Sequence, residues 1–524
     1  MSTADTPIAV HGAYAIARTD PTRVAIVSPS GRRVSFGDLV AAANQVANGL
    51  RGLGLRRGDV IASIQHNSAE HVEVVLAAFQ IGLYVVPVNS HLAPSEISHI
   101  VRDSGAGVVV ATDGLAGGLE SADLPAARYA VGAPVPGWRP YSALRDDQPA
   151  HPPHDREAGS IMGYTSGTTG RPKGVRRPLP QLPPEVVIAQ MARHYGKFGI
   201  TAGRGVHLVC APLYHAAPGN LALCSLHLGH TVVIHPRFDA VRTLEDIEWH
   251  GVTTTHLVPT HLHRLLALPD EVREQWDTSS LRVVMLAGAP CPVRDKQRAI
   301  EWLGPVVWEY LGSTEGVVCH IGPVEWLEHP GSVGKPALVK ILDDQGDPTP
   351  PGEPGRIYFP AAAAPFEYHN DPAKTAAAIR SDGFATVGDI GRLDADGYLY
   401  VLDRRDDLII SGGVNIYPAE IEQHLLTHPA VADVAVIGVP DPEWGHRVLA
   451  VVRPGPAVVA GPDLAEELDA FCRAGLAALK CPRRYEFMAD LPRSESGKLL
   501  RRTLRARFAG VLGRRCGTGP TEES

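Results

Sequence analysis

Between residues 34 and 111 the chain alternates between helix-period and strand-period apolar segments, and this alternation limits the fold more than any other feature. Residues 34–54 read as a short strand followed by an amphipathic helix, with Ser35 as its cap and Leu39, Ala43, Val46 and Leu50 on one face. Arg57-Gly58-Asp59 turns the chain into a strand at 60–64. Ser68 can cap the next helix, which carries Glu70 in its first turn and Gly82 near its end. A strand at 83–88, a helix at 95–104 and a strand at 108–111 follow. Strands separated by helices pair in parallel with the helices on their faces, so an α/β fold with doubly wound sheets is expected.

A second alternating half is expected beyond residue 200. Its strands fall at 207–211, 231–235, 254–258, 282–286 and 306–310, its helices at 219–228, 240–250, 260–268 and 293–303. From Pro336 the texture turns to β-rich, with hairpin-like turns at Asp343-Asp344-Gln345-Gly346 and Asp394-Ala395-Asp396-Gly397. After the charged run Asp403-Arg404-Arg405-Asp406-Asp407, helices at 418–427 and 463–479 and strands at 432–438, 448–452 and 484–488 form a small α+β unit. A chain of 524 residues is too long for one ordinary core. The organisation expected is a large N-terminal domain, 1–405, with doubly wound sheets and a β-rich subdomain. A small C-terminal α+β domain, 406–512, and a disordered tail, 513–524, complete it.

The hydrophobic fraction, 44%, and the charged fraction, 20%, are those of a globular enzyme. A formal net charge of −8 gives no electrostatic case for nucleic acid. Seven scattered cysteines without a C-x-x-C suggest free thiols in a reducing compartment. The first residues lack a basic and an apolar stretch, so no export signal is expected. The longest apolar run, 72–88, contains Glu73, Gln80 and Pro87 and reads as a buried helix and strand, not a membrane span. A cytoplasmic protein is expected, with peripheral attachment to a membrane left open.

Chemistry concentrates in the stretch YTSGTTGRPKGV, residues 164–175, which follows a short buried strand at 160–164. Gly167, Gly170 and Gly174 lack Cβ atoms, so backbone N–H groups can close around an anion. Ser166, Thr168 and Thr169 add hydroxyl donors, Arg171 and Lys173 add positive charge, and Pro172 stiffens the loop. The spacing is not G-x-x-x-x-G-K-[ST], so this is no ordinary P-loop. Composition alone is equally that of a solvated linker. The order of residues, however, resembles the signature loop of the adenylate-forming superfamily: acyl-CoA synthetases, luciferases and peptide-synthetase adenylation domains.

Four further motifs match that superfamily in the right order, and the resemblance extends from about residue 34 to 505. It implies roles for particular residues. Thr165, Ser166, Gly167, Thr168, Thr169, Gly170 and Lys173 would grip the β and γ phosphates of ATP. In Pro212-Leu213-Tyr214-His215, Tyr214 and His215 would lie between the nucleotide and acyl pockets. Gly288, Ala289 and Pro290 would receive adenine. In Gly312-Ser313-Thr314-Glu315, Thr314 would touch the α-phosphate and Glu315 would hold Mg²⁺. Leu311 stands where the superfamily usually has an adenine-stacking aromatic. Asp389 and Arg404 would meet the ribose, Asp406 would be the hinge, and Lys498 would be the catalytic lysine of a mobile small domain. Gly412 and Gly413 would border the pantetheine channel. Taken singly, most of these residues read more readily as core or surface features than as functional ones.

From 215 to 228 there is no Asp, Glu, Lys or Arg, so an amino-acid substrate would leave its ammonium unpaired. Ala216, Gly219 and Leu223 could instead line an apolar cavity with Tyr214. The expectation is an acyl-CoA synthetase that uses ATP, Mg²⁺ and coenzyme A to activate an apolar, fatty-acid-like acid through an acyl-adenylate. The alternatives are transfer to a carrier-protein thiol and a non-catalytic nucleotide or acyl sensor. The acid and the oligomeric state are left open, a homodimer among the options.

Overall fold

A computed structural model describes residues 12–120, 122–166, 172–363, 365–404, 407–411, 414–441, 444–494, 497 and 499–508. Chain contacts divide it into two compact units. The first comprises Met1–Ala287, Ala299–Glu325 and Phe359–Ala385; the second comprises Gly288–Arg298, Trp326–Tyr358 and Thr386–Ser524.

The first unit contains the two α/β sheets that the alternation predicts. One has eight strands, ordered Val317–Ile321, Val307–Gly312, Val283–Leu286, Thr254–Leu257, Val206–Val209, Thr231–Ile234, Val24–Val27, Arg33–Ser35. Its six inner strands are parallel and its two edges antiparallel. The other is parallel throughout: Arg139–Pro140, Arg128–Val131, Ala106–Thr112, Val60–Ile64, Tyr84–Pro87, Ser160–Ile161. The helices Phe36–Gly52, Ala69–Phe79 and Ala216–His227 share one core with Ile61, Val85 and Val108 of this sheet and Val209, Val232 and Ile234 of the other. Almost every residue of Ala69–Phe79 is buried, as a helix apolar on all sides requires. Ser35 and Ser68 cap their helices as expected, accepting from the N–H groups of Asp38 and His71.

Two local departures from expectation have physical causes. Residues 160–164 do not form one strand. Ser160–Ile161 pairs with the parallel sheet, whereas Gly163–Ser166 pairs antiparallel with Pro172–Arg176. The switch occurs at Met162, which is fully buried and donates to the Val85 carbonyl at 2.8 Å. The second departure concerns residues 176–184, where Pro178, Pro180, Pro183 and Pro184 exclude regular structure by sequence, yet a helix, Pro184–Gly196, begins at the last of them. Pro184 occupies its first turn, where a missing N–H costs nothing.

The second unit holds Lys340–Leu342, residues 355–358 of the strand Gly355–Pro360, Asp389–Leu393 and Leu399–Arg404 of the β-rich sheet. It also holds a small α+β layer. Val431–Asp441 and Gly445–Pro454 pair antiparallel, and Arg484–Phe487 joins in parallel. The alternation of side chains sorts this sheet's faces. Val434, Val436 and Ala450 pack with Leu464 and Leu468 of the helix Pro462–Gly475, while Ala435, Ile437 and Val451 pack with Leu504 and Phe508. The tail expected at 513–524 lies outside the described residues. Among the described residues, six cysteines are buried, none in a disulfide, and no helix is long and apolar enough to cross a membrane.

Among the described residues, the first unit buries six histidines whose pKa falls below the usual value: His71, His207, His227, His230, His256 and His261. Burial pushes His71 and His256 down to about 4, and His207, His227 and His261 to about 3. They pack neutral: His71 bonds Ser63 Oγ at 2.9 Å and His207 bonds Thr254 Oγ1 at 3.0 Å. Unfolded, each titrates near 6.5, so the unfolded chain binds more protons between about pH 6.5 and these lower values. Their stabilisation is whole above pH 6.5 and fades as pH falls. The thermal unfolding midpoint should therefore drop steadily from pH 6.5 to 4.5. His71→Gln should remove about 1.4 kcal/mol per pH unit of that slope. A midpoint that stays flat over this range would contradict the assignment.

Candidate functional site

The strand Gly163–Ser166 and its partner Pro172–Arg176 frame the glycine loop, with Thr165 opposite Lys173. A third strand, Glu367–Tyr368, pairs with the far side of Pro172–Arg176. From this small sheet Tyr368 reaches Glu315, the bare Gly163 faces Thr314, and the Tyr164 hydroxyl instead donates to Asp103 at 2.7 Å. A Cβ on Gly163 would stand 2.9 Å from Thr314 Cγ2, so only glycine admits that contact without displacement. Arg177 Nη2 donates to the Thr314 carbonyl at 2.9 Å. Burial lowers the Arg177 pKa, and the Glu315 charge partly opposes this. Glu315 is 6% exposed, and the Tyr368 hydroxyl donates to its Oε1 at 2.8 Å. Burial, then the Glu315 charge, raises the Tyr368 phenol above its ordinary value.

Lys173 forms an ion pair with Asp371, which also caps the helix Pro372–Ala378 by accepting from Lys374 N at 2.9 Å. The bond from Lys173, then that from Lys374 N, holds the Asp371 carboxyl below the usual range. Lys374 Nζ lies 3.8 Å from the Tyr368 ring centroid. Thus Lys173, Thr314 and Glu315, read from two separate motifs, lie around one small sheet, with Thr165 in register opposite Lys173. Gly312 and Ser313 precede them, Ser313 closing a turn with Gly316.

The family profile described as "AMP-binding enzyme" matches residues 14–363, and "AMP-binding enzyme C-terminal domain" matches 420–498. The chain belongs to the AMP-binding enzyme family. A feruloyl-CoA synthase of Amycolatopsis sp is 36% identical over 93% of this chain and 98% of its own. The fatty acid–[acyl-carrier-protein] ligase ScoC of Streptomyces coeruleorubidus is 32% identical over 95% and 96%. The solved o-succinylbenzoate CoA synthetase of Bacillus subtilis, in complex with the acyl-adenylate intermediate OSB-AMP, superposes with a TM-score of 0.77. It is 31% identical and covers 94% of this chain and 97% of its own.

The family's other positions fall as follows. The rings of Tyr214 and His215, centroids 4.6 Å apart, meet at a tilt of 54° before the helix Ala216–His227. Ala216 and Gly219 are half-buried; a Cβ on Gly219 would strike the Leu213 carbonyl at 2.6 Å. Leu223 lies in the core between the sheets. Tyr310 turns away from Leu311, as strand alternation predicts, and bonds His256 Nε2 at 3.1 Å. In the second unit, Gly288 takes φ +95° and is followed by Ala289 and Pro290. Asp389, 9% exposed, pairs across the sheet with Arg404, so two positions read separately along the chain are register partners. Gly167, Thr168, Thr169, Gly170, Asp406, Gly412, Gly413 and Lys498 lie outside the described residues, as do the side chains of Ser166 and Arg404.

Tyr368, Asp371 and Arg177 were not singled out as functional from the sequence. Asp371-Pro372 is a helix-start signature, cap before proline, and is the one local signal that could have flagged the segment. Gly163→Val should displace Thr314 and the turn it sits in, between the strands Val307–Gly312 and Val317–Ile321, and lower adenylate formation by on the order of 10²-fold. Pyrophosphate release by a variant of unchanged thermal midpoint checks this; wild-type rates would remove the contact from the mechanism.

Proposed function

We propose that this protein is an AMP-forming acid–thiol ligase, converting an apolar carboxylic acid to its CoA thioester through an acyl-adenylate. The observation that carries the reading is the seating of Thr314 against Gly163, at the root of the glycine loop, with Glu315 and Lys173 in the same cluster. That arrangement supplies a cation and hydroxyl groups to phosphates at one place, which in-line attack by a carboxylate on an α-phosphate requires. Relatives that act on feruloyl, succinylbenzoyl and fatty acyl groups support an acid with an apolar body, aryl acids being the first class to try.

One buried carboxylate suits Mg²⁺, which takes one or two carboxylates and shares the rest of its shell with phosphate and water. Glu315 has that character, with one hydrogen bond from Tyr368 to orient it. When bound there, the ion would offset charge on the transferring phosphate. Lys498, from the sequence match, is assigned the same task from a small domain, 406–512, that turns about Asp406. Gly412 and Gly413 are then assigned to the thioester-forming arrangement. Asp389 and Arg404 are assigned to the ribose, and Gly288, Ala289 and Pro290 to adenine. Tyr214, His215, Ala216, Gly219 and Leu223 are assigned to the acid side.

A second reading, transfer to a carrier-protein thiol, is favoured by the likeness to an acyl-carrier-protein ligase. A pyrophosphate-release screen over aryl and fatty acids, followed by a thioester assay with CoA, separates the two. Pyrophosphate without CoA thioester would favour the carrier, and no pyrophosphate from any acid would overturn both. Lys498→Ala should cut adenylation by about 10²–10³-fold while thioester formation from supplied acyl-adenylate largely survives. Equal loss of both half-reactions would sink the two-arrangement scheme.

A further inference from the structure

The segment 367–374 enters none of the roles above, yet it touches both charged arms of the candidate phosphate site. Tyr368 ends the strand Glu367–Tyr368, and its hydroxyl donates to Glu315 Oε1 at 2.8 Å. Three residues on, Asp371 binds Lys173 with one oxygen and caps its own helix with the other. Three residues further, Lys374 places its ammonium 3.8 Å from the Tyr368 ring centroid. The segment is itself anchored: Tyr368 pairs with Val175, and Asn370 Nδ2 donates to the Asp103 carbonyl at 2.9 Å. One short, braced stretch therefore holds the carboxylate and the ammonium that were read as working on opposite signs of charge.

We propose that Tyr368 and Asp371 are positioning residues for nucleotide binding, Tyr368 aiming the Glu315 carboxylate at the metal and Asp371 tethering Lys173 for the phosphates. The inference rests on the functional reading above and deepens it. Its physical basis is the cost of leaving a buried carboxylate undirected. Glu315 is almost wholly removed from water, and a hydroxyl on Oε1 fixes the plane of the group while leaving Oε2 as the acceptor for a cation. Lys173 sits at the end of a hairpin whose loop must admit a triphosphate. An ammonium has three donors, so one can stay on Asp371 while the others meet phosphate oxygens. Residues supporting a metal ligand through a hydrogen bond typically govern affinity and geometry without touching substrate.

Calorimetric binding of ATP to the full-length protein, titrated over Mg²⁺ concentration, reads the two arms separately. Tyr368→Phe keeps the ring beneath Lys374 and removes only the hydroxyl. It should raise the Mg²⁺ concentration for half-maximal ATP binding by about tenfold or more. Combined with Glu315→Gln it should add nothing further. Asp371→Asn keeps an oxygen for the helix cap. It should weaken ATP binding at saturating Mg²⁺ by up to about fivefold without moving the Mg²⁺ dependence. An unchanged Mg²⁺ dependence in Tyr368→Phe, or additive losses with Glu315→Gln, would overturn the assignment of Tyr368. Were Tyr368→Phe not to fold, a shifted Mg²⁺ dependence in Asp371→Asn would overturn the separation of the two arms. A wild type that binds no Mg·ATP overturns the functional reading together with this inference. Wild-type binding alongside unaffected variants overturns the inference alone.

Discussion

The contact between the bare backbone of Gly163 and the methyl of Thr314 ties a glycine-rich hairpin to the end of the eight-stranded sheet. Any side chain at 163 would stand inside van der Waals distance, so the hairpin and Thr314 close up only because that position is empty. Around this contact the polar groups are arranged by default. The strand Pro172–Arg176 carries Lys173 to one side, Arg177 reaches the Thr314 carbonyl, and Glu315 is left buried under Tyr368. A charge with so little water around it needs directed partners. The Tyr368 hydroxyl supplies one.

The scaffold that brings these parts together is a sandwich of helices between two sheets. Because the helices Phe36–Gly52 and Ala69–Phe79 are covered on both sides, the flanking sheets are held in one core and their strand ends stay in register. The price of this burial is a set of neutral histidines along the first unit, and it makes acid conditions destabilising. The second unit solves a different problem. There the basic residues near the end of the chain are neutralised in place: Arg501 binds Glu422 and Asp407, Arg505 binds Asp407, and Arg493 binds Asp433. The ion pairs of Arg501 and Arg505 tie the helix Arg501–Phe508 to Asp407 and to the helix Pro418–Leu425, while Leu504 and Phe508 pack it on its sheet.

Much of this was readable along the chain. The helix caps Ser35 and Ser68, the parallel strands and the α+β end followed from period and capping chemistry, because those signals are local. The change of sheet at Met162 was not readable. Residues 160–164 have one strand-like texture, and only the partners available on each side decide where a strand stops. The helix Pro184–Gly196 was hidden by prolines that look like loop but sit in a first turn. At the site, Lys173, Thr314 and Glu315 were legible because their motifs are dense and ordered. Tyr368 was not, since a lone tyrosine in Glu367-Tyr368-His369 carries no pattern.

By itself the order of residues determined the alternating α/β architecture, the family and the identity of the chemical groups, since period, capping and motif are properties of neighbours along the chain. Only the tertiary structure decided which of those groups meet. It paired Lys173 with Asp371 and Glu315 with Tyr368, each across a long stretch of sequence. Hydrogen bonds and ion pairs act over a few ångströms, and such distances between remote residues are set by how sheets and helices pack, not by spacing in the chain.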